Sequence, residues 1–538
     1  MRRGGFMARI RAALSPAPEP RRRASGPAWT ERAYSGAAVG RLTADFYPSS
    51  AGPNAEVSGA GTTLRNRSSD LVRNNPHARK GVRVLVGDLV GTGILPKPAT
   101  ASDAVNKRLA AAWDRWQWQT SPGSRIGVHG QVAKAVGGAA ERGNAFLRKR
   151  WRRPADGYAV PLQLELLEAD YLDTSQDTTL TGAGPALTQG VEFDPVGRKA
   201  AYFFYPAHPG ESALAAFGSS VRVDARDVVH VHEELGERIG QVLGVPWTAA
   251  VIRTLREHGE FHTATMVRQK FAAAPIGVAT GDDPTDEGFG PQINSETGDR
   301  ITDGSVSDAF GNVVEKFEPG MVLYARNGKT FTFSSPPAAA GLREYDSEIL
   351  HSAAAGMGTT YEALSGDLSG MSWTSYRAGR IPYNRWIRMG QALWLIPCVY
   401  QPIWDWFVEA AVLAGVVTPA EVAALGVDLY SVKWTPPRLE SVDPAKDAAA
   451  DLIEVLAGFA SRTEKVAARG RDPIELDNEI RAERDRAADL DLVFSSDVAA
   501  KVAAAALAPQ PADDSDEDET APADEGTEGR GVRAVGER

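Results

Sequence analysis

The chain has 538 residues, 43% hydrophobic and 24% charged, enough to bury a large core and to form more than one structural region. Its single cysteine, Cys398, excludes an intramolecular disulfide framework and suits a reducing cytoplasm. The formal charge of −10 is uneven: residues 512–538 carry ten acids against three arginines, the first 32 residues carry eight arginines against two glutamates, and the body between them is mildly acidic. Such a body is a poor static holder of nucleic acid, because that affinity comes from neutralising phosphates.

Residues 1–30 are rich in Arg, Pro and Ala and have no apolar core of signal-peptide length; they read as a disordered basic tail. Apolar spacing predicts helix over 64–89, broken at Asn74-Asn75-Pro76. Further helices are expected over 101–118, carrying Trp113, Trp116 and Trp118 as packing anchors, and over 131–140. Between 144 and 232 the pattern changes to short strands at 146–150, 162–167, 190–193, 200–205 and 228–232. A helix is predicted to start at Pro246 and run toward 274, because proline suits a first helical position.

Periodicity is lost over 275–340, with strand-like pieces at 321–324 and 330–333. An insertion of that length between helices is usually functional or disordered. Helix returns over 344–355 and in a long pattern over 375–414. Between these helices lies a Gly/Ser/Thr-rich stretch in which Thr374 or Ser375 could cap the long helix. Within the long pattern, Trp386, Leu393, Trp394, Ile403, Trp404, Trp406 and Phe407 are too many for a solvent-exposed helix and predict burial on more than one side. Residues 392–417 are apolar enough to raise a membrane span. Asp405 and Glu409 would each cost about 2.5–3.5 kcal/mol in mid-span, so a buried helix kinked by Pro397 and Pro402 is preferred and no membrane is expected. Ala-rich helices follow over 443–469 and 473–508, then a Pro/Asp/Glu/Gly-rich tail over 509–538.

No catalytic constellation is complete. His258-Gly-Glu-Phe-His262 places two imidazoles one helical turn apart, but Gly259 stands where a zinc protease needs its glutamate. His230 and His232 share one face of a strand without a marked third ligand, which favours a hydrogen-bonded structural pair or a pair facing a partner. Gly328-Lys-Thr330 has Leu323 where a phosphate loop has its leading glycine. Gly370-Met-Ser-Trp-Thr374 lacks the closing glycine of a nucleophile elbow. Catalytic residues, metals and cofactors are therefore expected to be absent.

Several separated stretches nevertheless fit one pattern. They are Leu64-Arg-Asn-Arg-Ser-Ser-Asp-Leu-Val-Arg-Asn-Asn-Pro-His-Ala-Arg79, Leu89-Val-Gly-Thr-Gly-Ile-Leu-Pro-Lys-Pro98, residues 160–173, and Gly244-Val-Pro-Trp247. Tyr361-Glu-Ala-Leu-Ser-Gly-Asp-Leu-Ser369, Ser375-Tyr-Arg-Ala-Gly379 and Arg469-Gly-Arg-Asp-Pro473 complete the set. In this order they resemble the lambda-type phage portal proteins over about residues 30–495. The resemblance implies an α+β portal fold, assembled as a ring: a wing (31–245), a first stem helix (246–274), a strand-containing clip (275–341) and a second stem helix (342–358). A channel loop (359–374), a long wing helix with a return strand (375–442) and a helical crown (443–508) follow. It further implies a ring, typically dodecameric, at one capsid vertex of the virion, built in the bacterial host cytoplasm. Double-stranded DNA would pass through the ring without being read. Its partners would be the terminase large subunit, head-completion and tail-connector proteins, and the major capsid and scaffold proteins.

By the same resemblance Asp367, Ser369, Gly370, Met371, Ser372, Trp373 and Thr374 would face the channel. Arg377 and Arg380 on the next helix, and Arg253, Arg256, Arg268 and Lys270 on the first stem helix, could meet phosphate or a neighbouring subunit. Three alternatives stand beside this reading: a capsid-operon enzyme (protease or nuclease), which would need a complete catalytic set; a static DNA-binding module, which would need a basic body; and the portal-like component of a gene-transfer particle. The stretch 280–312 is longer than a compact clip requires, and the acidic tail matches nothing in the pattern.

Overall fold

The computed structural model describes residues 48–121, 123, 125–177, 186–211, 219–273, 277–280, 305–307, 313–315, 330–333, 341–438 and 443–492. The basic and acidic tails and most of the stretch 281–329 lie outside these residues. The chain divides at 442 into two units.

In the first unit, helices α1 (Pro53–Asn74) and α2 (Pro76–Val90) are separated by one residue, Asn75. A residue before proline is pushed out of the helical region, and Asn75 is extended (φ −104°, ψ 121°). Its side-chain oxygen accepts from the His77 and Ala78 amides at 2.9 and 3.0 Å, so one asparagine closes the first helix and caps the second. Strand β1 (Leu95–Pro98) leads to α3 (Asp103–Trp116) and α4 (Gly127–Arg142). Trp113 and Trp116 are buried on α3, and the Trp116 indole donates to the Leu162 carbonyl at 2.8 Å. Trp118, expected to be a third anchor, is 62% exposed because the helix ends before it.

The two larger sheets among the described residues are antiparallel. One is ordered β3–β2–β8, from β2 (Ala145–Trp151), β3 (Leu162–Glu168) and β8 (Val228–Val231). The other is a meander of β4 (Ala186–Thr188), β5 (Val191–Phe193), β6 (Lys199–Phe204) and β7 (Val221–Asp224). Phe146 of β2 packs against Tyr202 and Phe204 of β6, joining the two sheets through one apolar cluster.

Helix α5 spans Ile252–Ala273 and starts six residues after Pro246. Two tertiary bonds hold the intervening segment in turns: the Trp247 amide donates to Ala140 O (2.9 Å), and the Thr248 and Ser68 hydroxyls meet at 2.6 Å. Beyond α5, β9 (Gly277–Thr280) pairs antiparallel with β12 (Thr330–Phe333), and β10 (Ser305–Ser307) pairs with β11 (Val313–Glu315). The strand expected at 330–333 is thus present, while 321–324 lies outside the described residues. Helix α6 (Leu342–Met357) then returns beside α5. Leu255 of α5 and Leu350, Ala353 and Met357 of α6 share a core with Leu71 of α1 and Val82 of α2.

After the short helix α7 (Tyr361–Ser365), the long helical pattern forms three consecutive pieces. These are α8 (Trp373–Gly390), ten residues of π-helix (Gln391–Tyr400) and α9 (Gln401–Leu413). Pro397 sits in the π piece; it has no amide proton to donate and its ring obstructs the carbonyl four residues back. The wider π turn accommodates both defects, and the Gln401 amide reaches Ile396 O, five residues back. Trp394, Ile403, Trp404, Trp406 and Phe407 are buried, whereas Leu393 is exposed. Of the two acids that argued against a membrane span, Glu409 pairs with Lys149 (3.3 Å) and Asp405 accepts from Gln401 (2.9 Å). Among the described residues no helix is long and apolar enough to cross a membrane. Helix α10 (Pro419–Leu425) precedes β13 (Val432–Thr435), which pairs with β1 rather than with either larger sheet.

His129 of α4 lies in this core beside Tyr400, its Nδ1 3.4 Å from the phenol oxygen and its Nε2 without a hydrogen-bond partner. Burial lowers its pKa to about 4. The folded state therefore takes up this proton less readily than the unfolded chain does, whose histidines titrate near 6.5. Stability is complete above about pH 6.5 and drains as the pH falls toward 4, by about 3 kcal/mol from this residue. Urea midpoints measured at pH 7 and pH 4.5 should converge when His129→Gln replaces the wild type.

Among its described residues the second unit holds three helices, α11 (Pro444–Leu456), α12 (Arg462–Ala468) and α13 (Pro473–Asp489). Asp443, Ser461 and Asp472 cap them in turn. Asp451 of α11 pairs with Lys465 of α12 (3.0 Å) and with Arg469 just beyond it (2.9 Å).

Candidate DNA-facing site

The loop between α6 and α8 is built by short-range polar bonds. Gly358 closes α6 in the left-handed region, and Thr360 caps α7 by accepting the Ala363 amide. Tyr361 stacks flat on His351 of α6 (3.8 Å between centroids), and Leu364 is fully buried in the shared helical core. Gly366 turns the chain at φ +82°, a conformation in which other L-residues are strained. Asp367 then accepts the Ser369 amide at 2.9 Å, closing an Asx turn.

From α6, Arg343 reaches this turn, with Nη2 2.6 Å from the Ser369 hydroxyl and 3.6 Å from the Asp367 carboxylate. Hydrogen bonds from Ser369, opposed by slight desolvation and aided by Arg343, hold the Asp367 carboxyl below its ordinary pKa. The tip from Leu368 to Gly370 is exposed, with Leu368 63% accessible. Ser372 caps α8 by accepting the Ser375 amide at 3.2 Å, in place of the expected Thr374 or Ser375. Met371 is half-buried, Ser372 and Thr374 are exposed, and the Trp373 side chain lies outside the described residues.

The cations named from sequence separate into different roles. Arg380 is turned inward: it stands 3.9 Å from Asp88 and over the Tyr383 ring at 5.2 Å, while the Tyr383 hydroxyl donates to Asp88 at 2.5 Å. Burial and the neighbouring Asp88 push the Tyr383 phenol well above its usual pKa. Arg380 is therefore a packing residue of α8 and α2, and it does not join the loop tip. Arg377 is exposed one turn earlier, as are Arg385 and Arg388 further on.

On α5, Arg253 pairs with Glu257 (2.8 Å) and Arg256 with Glu260 (2.9 Å), each one turn on, so this stretch is charge-balanced rather than basic. Arg268 is half-buried and Lys270 is exposed. Sequence reasoning passed over Arg343 and Asp88, the two residues that position the loop and Arg380. Neither belongs to a local motif, and only the packing of α6 and α2 brings them in.

The two histidine pairs also resolve. His230 is buried and stacked on Phe146, and its Nε2 meets Asn144 Oδ1 at 2.9 Å. His232 is clasped by Glu237 (2.9 Å) and Glu234 (3.3 Å), which outweigh burial and raise its pKa, while desolvation holds that of His230 low. These are hydrogen-bonded structural groups. His258 and His262 instead meet Asp346 of α6.

Comparison with known proteins gives a consistent result. Residues 39–391 match the family described as phage portal protein, lambda family. The probable portal protein of Halomonas phage phiHAP-1 is 25% identical over 443 residues, covering 78% of this chain and 79% of that one. Solved structures of the neck of a native gene transfer agent particle, computed with C12 symmetry, and of the native virion of such an agent are each 16% identical. Each match covers 77% of this chain and 94% of the other, with a TM-score of 0.43. With the family pattern spanning well over half of its length, the chain belongs to the lambda family of phage portal proteins.

Proposed function

We propose that copies of this protein form a ring at one vertex of a phage capsid and that packaged double-stranded DNA passes through its centre. Family membership over residues 39–391 carries this reading. The family is a structural, non-enzymatic one; in this reading the ATP-driven chemistry of packaging would belong to a terminase docked on the strand-containing segment 275–341. Head-completion and tail-connector proteins would take that place later, and the major capsid and scaffold proteins would surround the ring.

Helices α5 and α6 would serve as the stem and residues 359–374, with their exposed tip at Leu368–Gly370, as the channel loop. The local chemistry favours sliding over grip. Asp367, the carboxylate next to the tip, is offset by Arg343, and the tip offers backbone, hydroxyls, Leu368 and Met371, which would contact a duplex by shape without reading it. Closed head-to-tail contacts between identical subunits generate a ring with a pore.

Electron microscopy of the purified protein, alone and co-expressed with its capsid and scaffold proteins, tests the reading. Rings of uniform size with a central hole are expected. Removing residues 368–371 should leave the rings intact and the particles empty of DNA. Failure to form rings under both conditions would overturn the proposal.

A further inference from the structure

The helix pair α5–α6 carries a cluster that the portal reading does not use. His258 and His262, one turn apart on α5, direct their Nε2 atoms at the same carboxylate oxygen, Asp346 Oδ1 on α6. The two nitrogens are 3.1 Å apart, His262 Nε2 is 2.8 Å from the oxygen, and His258 Nε2 is in contact with it. All three ligand atoms therefore converge on one point.

Protons fit this arrangement poorly. Two imidazoles donating to one oxygen would set two N–H dipoles side by side at 3.1 Å, and beside an ionised Asp346 an unprotonated Nε2 would turn its lone pair on the carboxylate oxygen. A cation accepting all three lone pairs removes the conflict. For zinc held by imidazole and carboxylate at about 2.0–2.1 Å, a tetrahedral edge is about 3.3 Å, close to the 3.1 Å between the two imidazole nitrogens; both nitrogen–oxygen separations are shorter and would open as the ion enters. His258 is 2% exposed and His77 packs edge-on against its ring, which fixes the inner ligand. His262 and Asp346 are partly exposed, leaving a fourth position open to solvent.

The contrast is the acidic group Glu168–Asp170–His208, where Arg65 and Arg142 already neutralise Asp170. At Asp346 the partners are the two imidazoles.

We propose that His258, His262 and Asp346 form a binding site for a divalent transition-metal ion of the zinc class. The ligand set suits such an ion, since imidazole selects zinc and its neighbours over magnesium and calcium. The ion would pin the helix that leads into the 274–341 segment to the helix that returns from it, a structural cross-brace needing no catalytic step. This inference stands independently of the portal assignment.

The test uses the full-length protein, stripped with chelator and titrated with Zn²⁺ by calorimetry and with Co²⁺ by visible absorption. The expected result is one ion per chain, a cobalt d–d spectrum of tetrahedral intensity, and a rise in the unfolding temperature. His262→Gln and Asp346→Asn should each weaken binding at least tenfold, whereas His351→Gln, an imidazole on α6 outside the cluster, should leave it unchanged. His262 is partly exposed, so its variant tests the site without a core defect. Absence of stoichiometric binding by the wild type, or binding indifferent to both His262→Gln and Asp346→Asn, would overturn the proposal.

Discussion

Replacing Gly244 by alanine is expected to cost about 3 kcal/mol or more and to leave little folded protein. A Cβ at this position would stand 2.2 Å from the Gly143 carbonyl oxygen, 2.7 Å from Glu237 Oε1 and 2.8 Å from His232 Cβ. Glu237 can swing aside. The other two cannot, because one is backbone and the other is the first carbon of a buried side chain.

The approach is reciprocal, since a Cβ on Gly143, itself at φ +85°, would meet Gly244 O at 2.5 Å. Asn144 locks the two segments by donating to Gly244 O (3.0 Å) and accepting the Gly244 amide (2.7 Å), and the same oxygen meets His230. Moving Gly244 by half an ångström therefore breaks a buried network whose unpaired members are costly. The urea midpoint measures the loss. Gly87→Ala is the control: Gly87 is exposed on α2 with nothing within 4 Å of the new methyl group, which should stabilise by about 0.5–1 kcal/mol. Equal midpoints for wild type and Gly244→Ala would show that the two segments are free to separate.

Phe407→Ala should cost about 3–5 kcal/mol, the range for emptying a large aromatic site in a packed core. Phe407 is fully buried on α9, and its ring lies 5.1, 5.2 and 5.3 Å from those of Trp113, Trp116 and Trp404. Those partners come from two elements, α3 and α9, so collapse on one side cannot refill the space. Rings at these separations also lose the edge and offset attractions between them. Leu413→Ala, on the same helix but 68% exposed, should change stability by less than about 0.5 kcal/mol. A denaturation pair that gave similar losses for both would contradict the assignment of α9 to the core. Tryptophan fluorescence should shift to the red at lower urea in Phe407→Ala than in the wild type.

How much of this was legible in the sequence depended on how local the cause was. The break at Asn75-Pro76 was readable because proline geometry acts on its immediate neighbour. Strands such as β2 and β3 were readable as short apolar-bearing runs set between turn signals. By contrast, β1 escaped notice: it is short and carries Pro96 and Pro98, and the strand that pairs with it, β13, lies more than three hundred residues away. Helix α5 was drawn back from Pro246 because Ala140 and Ser68, on other helices, hold the intervening turns.

The candidate loop was identified by its motif, but its mechanics were hidden. Arg343 and Asp367 are far apart in sequence, and Arg380, a residue with every appearance of a phosphate contact, is committed to Asp88. Asp346 is the same kind of case: 88 residues separate it from His258, so no spacing rule could have joined them.

The π-helical piece around Pro397 has a consequence for how this chain can vary. Each π turn absorbs one more residue than an α turn, so the segment rotates the helix that follows relative to the one before. Trp394 in the π piece and Trp404, Trp406 and Phe407 beyond it are all buried, so packing at both ends fixes the rotation of one piece against the other. A single-residue deletion within 391–400 would not shorten the helix so much as re-index it, swinging α9 by about 100° and exchanging its buried indoles for its solvent side. Substitutions should accumulate on the exposed side of this rod, but its length should be quantised, with insertions and deletions tolerated at its ends and not within its ten-residue gearbox.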